Sequence, residues 1–146
     1  MNWKTEAVDK LRKYDAMRQA VLNLPIEIKR LQLEAQSLRS MQLTSAPVKG
    51  SGGNREDALL NNLAHRQELQ WSLEQAKGWL KITDRALTTL TQEEKLVLHR
   101  LYIYPEKGAL ERLCAELGVE NSSIYRKRDK ALQRFTLALY GNLADI

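Results

Sequence analysis

Residues 110–135, LERLCAELGVENSSIYRKRDKALQRF, read as two helices joined by a turn at one glycine. Leu110, Leu113, Cys114 and Leu117 fall at i, i+3, i+4 and i+7, the spacing of a single helix face. Gly118 stops that helix, because glycine readily takes the left-handed conformation of a helix end. Val119 follows as an apolar plug. Asn121 or Ser122 is expected to cap the next helix by accepting from its free N–H groups. That second helix, over about residues 121–135, should bury Ile124, Ala131, Leu132 and Phe135. Its remaining positions carry Tyr125, Arg126, Lys127, Arg128, Lys130 and Arg134. A glycine turn leading into a basic second helix is the helix-turn-helix pattern.

A basic stripe on a helix is often only a solvated face. Three details favour a DNA contact. Cys114 and Ala115 are small where the two helices should cross. The turn is short. The first turn of the second helix carries Asn121, Ser122 and Ser123, short polar side chains suited to base edges and phosphates. The expected DNA-binding residues are therefore Asn121, Ser122, Ser123, Tyr125, Arg126, Lys127, Arg128, Lys130 and Arg134. Asn121, Ser122, Tyr125 and Arg126 should lie at or beside base edges, with Arg126 placed for bidentate guanine recognition. Lys127, Arg128, Lys130 and Arg134 should mainly neutralise phosphates. Lys plus Arg total 23 against 18 for Asp plus Glu, a net charge of +5. That excess permits a nucleic-acid partner without requiring one. Between positions 126 and 134 five cations face only Asp129.

The rest of the chain is written in helix formers, with Gly and Pro as punctuation, so the expected fold is all-α. A long-helix hairpin or coiled coil over 1–88 should precede a DNA-binding domain over 89–140 and a short tail, 141–146. The first helix is expected over 3–23, along Trp3, Ala7, Leu11, Tyr14 and Arg18. A second is expected over 25–43, along Ile28, Leu31, Ala35, Leu38 and Gln42. Pro25 either separates the two or kinks one continuous helix. Residues 44–54 should form a loop. Their glycines and Lys49 lack the spacing of a phosphate-binding loop. Asn54 should cap a third helix running to about residue 87. Leu69, Leu73, Ala76, Leu80, Thr83, Leu87 and Leu90 form its seam, which must pack within the chain, on a second copy, or on both. Gly78 offers a place for another helix to approach. Thr91 and Glu94 should form a capping box for a helix ahead of the paired helices.

Catalytic chemistry is not expected. His65 and His99 lie far apart in sequence and lack the partners of a triad. The single Cys114 excludes an internal disulfide and a cysteine-built zinc site, and reads as a small core residue. No metal or cofactor is implied. No apolar run approaches a membrane span, and a cytoplasmic location is expected.

Residues 90–102, LTQEEKLVLHRLY, followed by residues 110–135, resemble region 4 of bacterial sigma-70 factors. The likeness rests on an acidic-capped helix, on Glu116-Leu117-Gly118-Val119 at the turn, and on Lys130-Ala131-Leu132. Lys127 departs from that pattern, standing where sigma-like recognition helices bury an aliphatic residue. Its methylene stem can still cover apolar surface. The whole chain resembles the ArpU/RinA-like phage late-gene regulators, through Trp3-Lys4-Thr5-Glu6-Ala7-Val8, Pro47-Val48-Lys49-Gly50 and Asn54-Arg55-Glu56-Asp57-Ala58-Leu59. The resemblance implies a phage- or prophage-type transcriptional regulator acting in the cytoplasm of a bacterial host cell. Double-stranded DNA would be its partner, a homo-oligomer its state, and RNA polymerase a further contact. Two other functions fit the same pattern: a DNA-packaging adaptor like phage small terminase subunits, and a helical protein-interaction module that binds RNA polymerase.

Overall fold

The computed structural model describes residues 2–44 and 52–143. The fold is all-α: α1 (Trp3–Thr44), α2 (Gly52–Thr88), α3 (Gln92–Leu98), a π-helical turn (His99–Ile103), α4 (Ala109–Leu117) and α5 (Asn121–Tyr140). Pro25 lies inside α1 and does not divide it. Proline removes one backbone donor and crowds the preceding turn. Here Pro25 is exposed on the helix surface. The strong helix formers on both sides carry the helix through. Asn54 lies inside α2 rather than at its cap. Most of the expected 44–54 loop lies outside the described residues.

Two compact units form. One takes Met1–Arg18 with Gly78–Ile146, and the other takes Gln19–Lys77. The expected division at residue 88 is thereby corrected, and the cause is core packing. Ala7 and Leu11 of α1, with Ala86 and Leu90 at the end of α2, are buried in one cluster with Leu98, Leu132 and Phe135. The first turns of α1 and the last of α2 thus share a core with the C-terminal helices.

In the Gln19–Lys77 unit the two long helices run antiparallel. Arg55 Nη1 donates to the Met41 carbonyl, and Asn62 Nδ2 donates to the Leu31 carbonyl at 2.9 Å. Ile28, Leu31, Ala35, Leu73 and Ala76 are buried there. Asn62 is buried as well, and its Oδ1 accepts from Arg66 Nε at 2.8 Å. A buried amide satisfied on both sides disfavours sliding of the helices, because any slip leaves it unpaired. Every residue of the α2 seam is buried or half-buried. Gly78 is exposed, and among the described residues nothing lies within 4 Å of where a Cβ would stand.

In the other unit the capping box forms as expected. Glu94 N donates to Thr91 Oγ1 at 3.2 Å, and Thr91 N to Glu94 Oε1 at 3.0 Å. Helix α3 then widens into the π-helical turn, which ends on the buried Ile103. Tyr14 Oη donates to Asp84 at 2.5 Å and Tyr104 Oη to Asp15 at 2.9 Å, tying α1 to α2 and to the segment after the π turn.

Candidate nucleic-acid interface

Helices α4 and α5 meet through a small core. Val97, Leu113 and Ile124 are fully buried, and Leu110, Cys114, Leu117 and Val119 pack against them. Gly118 takes φ 64°, a left-handed conformation, and ends α4. Val119 N reaches back to the Cys114 carbonyl at 3.1 Å. Ala115, expected at the helix crossing, is exposed, so Cys114 alone occupies the close approach.

Helix α5 begins at Asn121, as expected. Glu120 is its cap residue, and no side chain closes on the first N–H groups. Neither Asn121 nor Ser122 caps. Asn121 Oδ1 accepts instead from Cys114 Sγ at 3.1 Å, joining the start of α5 to α4. The register of α5 is the expected one: Ile124, Ala131, Leu132 and Phe135 are buried, joined by Thr136. The helix runs on to Tyr140, one turn beyond the expected end, and stops at the left-handed Gly141.

The nine expected contact residues separate into groups. Asn121, Ser122, Tyr125, Arg126 and Lys130 are exposed, while Ser123, Lys127 and Arg128 are half-buried and Arg134 is exposed. Ser122, Arg126 and Lys130 recur every four residues, one stripe on the face away from Ile124. Arg126 and Lys130 have no ion-pair partner among the described residues. Three other cations do. Lys127 Nζ lies 2.6 Å from Glu93 Oε1. Arg134 Nε lies 3.3 Å from Glu94 Oε2, an ionic contact without hydrogen-bond alignment. Arg128 Nη2 lies 3.0 Å from Asp129 Oδ1, with its guanidinium 5.0 Å from the centre of the Tyr125 ring.

The geometry accommodates Lys127 within α5. Its stem lies half-buried between α3 and α5, and its ammonium reaches Glu93 at the rim. The helix is not rotated to accommodate it. Arg126, Lys127, Lys130 and Arg134, together with Glu93 and Glu94 of α3, line an open groove of about 560 Å³. The acids of α3 that hold Lys127 and Arg134 were not singled out as partners in the sequence. They belong to a separate helix, and no local spacing connects them to α5.

Among the described residues no cluster of His, Cys, Asp and Glu could hold a metal ion. His65 and His99 are both exposed, and the His99 ring lies 4.9 Å from that of Tyr104. Among the described residues no helix is long and apolar enough to cross a membrane. Comparison with known protein families, with curated proteins and with solved structures finds no match to this chain.

Proposed function

We propose that this chain is a sequence-specific DNA-binding transcriptional regulator of the phage or prophage kind, with α5 entering the major groove. One observation carries the reading. Arg126 and Lys130 stand exposed and without acidic partners, one turn apart, on the face of α5 opposite the buried Ile124. An exposed guanidinium near the start of such a helix can reach the O6 and N7 acceptors of a guanine. A lysine one turn further along can reach the backbone. Asn121, Ser122, Ser123 and Tyr125 would surround Arg126, and Lys127, Arg128 and Arg134 would face phosphates. The uncapped N–H groups at the start of α5 suit a phosphate oxygen as well. In the Gln19–Lys77 unit Leu22, Ile26, Leu33, Leu60 and Trp71 are exposed. This supports self-association or a contact with RNA polymerase through that unit.

Protection mapping on the DNA flanking the gene for this chain supplies the site, and two substitutions then test the docking. Arg126→Ala should cost about 1–3 kcal/mol on that site, little on random DNA, and relax preference at one base pair. Lys130→Ala should weaken both DNAs alike and lower the magnitude of the log-affinity against log-salt slope by about 1. Equal losses on both DNAs for Arg126→Ala, with an unchanged slope for Lys130→Ala, sink the docking. Failure to retard any of that DNA at low salt sinks the function.

A further inference from the structure

On the flank of α5 turned away from α3, the first turns of α1 lie against it. Ala7 and Leu11 are buried in the same cluster as Leu132 and Phe135, which fixes this end of α1 beside the helix. Lys4, Val8 and Arg12 recur every four residues and so share one face of α1. Together with Tyr102, Arg128 and Asp129 they line a notch of about 320 Å³. Lys4 Nζ lies 3.6 Å from Asp129 Oδ1, the oxygen that also meets Arg128. The single acid in the basic run of α5 is thus held between two cations. Arg12 is exposed, stands 6.0 Å from the centre of the Tyr102 ring, and has no acidic partner among the described residues. Asp9 is the other acid lining the notch, against Lys4, Arg12 and Arg128.

A helix lying in a major groove has a phosphate strand on each side. Towards α3, Lys127 and Arg134 are available to one strand. We propose that the start of α1 completes the interface on the other side, with Arg12 and Lys4 taking phosphates of the second strand. The proposal rests on the DNA-binding reading above. It adds to α4 and α5 a helix that begins more than one hundred residues earlier in the chain. The contact is to backbone, so it carries no sequence preference.

The test is the salt dependence of DNA affinity, measured on the full chain by fluorescence anisotropy with the protected site and with random duplex. Arg12→Ala should weaken both duplexes by the same factor and lower the magnitude of the slope by about 0.9, the value of one phosphate contact. Lys13→Ala is the control. It removes the same charge from the next position of α1, about 100° round the helix, and should leave the slope unchanged. Both residues are exposed, so the helical circular dichroism of each variant should match that of the parent chain. An unchanged slope for Arg12→Ala while Lys130→Ala lowers it overturns the proposal and leaves the DNA-binding reading standing. Equal effects of Arg12→Ala and Lys13→Ala overturn it too, since a diffuse charge rather than a contact would then be at work. A parent chain that binds neither duplex overturns both.

Discussion

Replacing Ile124 by alanine tests whether the register of α5 is the one that presents Arg126 and Lys130 outward. Ile124 is 0% exposed and packs with Val97 and Leu113, which are also 0% exposed. The substitution removes three carbons, or about 2.4 kcal/mol at ~0.8 kcal/mol per buried group. A cavity cost adds to this, because neighbours that are themselves fully enclosed cannot collapse into the space without opening a gap elsewhere. The total should fall at roughly 2–5 kcal/mol, the range of such truncations in enclosed sites. Leu137 on the same helix provides the comparison. It is 45% exposed, so Leu137→Ala should stay near the ±0.5 kcal/mol of surface changes. Urea denaturation followed by circular dichroism, with amide exchange along α5 as the local readout, gives both values. A loss below about 0.5 kcal/mol for Ile124→Ala, or a larger loss for Leu137→Ala, would mean that the helix presents a different face. The assignment of Arg126 to the groove would then fall with it.

Gly118 holds φ 64° with nothing within 4 Å of where a Cβ would stand, so Gly118→Ala meets only backbone strain. It should cost about 1–2 kcal/mol in a denaturant titration, and a neutral result would contradict the left-handed turn. The Tyr14 hydroxyl is pushed up to about 12 by burial and by its hydrogen bond to Asp84. A raised value in the folded chain gives stability that is complete below the unfolded value near 10, and that is lost as pH climbs through 12. Thermal melts between pH 9 and 12 should show that loss in the parent chain and a smaller one in Tyr14→Phe; identical profiles would refute the assignment.

The parts of the fold that are written locally were legible in the sequence. Thr91 and Glu94 lie three residues apart, and their capping box needs nothing beyond that spacing. Gly118 is the only residue of its turn that takes a left-handed conformation without penalty. The four buried positions expected in α5 follow from helical periodicity, and all four are buried. What depends on distant partners was not legible. The stripe of Ala7 and Leu11 says that α1 has a buried face, but not that the face packs on Phe135. The division at residue 88 missed the two units for this reason. Pro25 marks a point where a helix can end or kink, and its position alone does not decide that α1 runs through it. The cap of α5 was misplaced because Asn121 has a rival partner in Cys114, seven positions away across the turn. At the candidate interface, Arg126 and Lys130 were singled out by their place on the helix, whereas Arg12 carries no local signal at all.

In the sequence the five cations of α5 form one undifferentiated run; acids of α3 sort out Lys127 and Arg134, and Asp129 within the run sorts out Arg128. Exposed ion pairs such as Lys127–Glu93 contribute only ~0–1 kcal/mol to stability, so their consequence is for binding rather than for the fold. A cation that leaves a carboxylate for a phosphate exchanges one anion for another. It also uncovers the carboxylate next to the DNA, so its net gain is smaller than that of a cation that was free beforehand. Glu94 sharpens the point. Its side chain is only 10% exposed, and its Oε1 is committed to the Thr91 N–H, so it cannot withdraw from the groove when Arg134 turns to a phosphate. If α5 binds DNA as proposed, Lys127 and Arg134 would therefore serve chiefly as the wall of the groove, steering the backbone at some distance. Arg126 and Lys130 give up no partner on binding. In the proposed complex they would keep the full Coulombic gain, and for that reason the share of the affinity that α5 itself supplies should concentrate on those two residues.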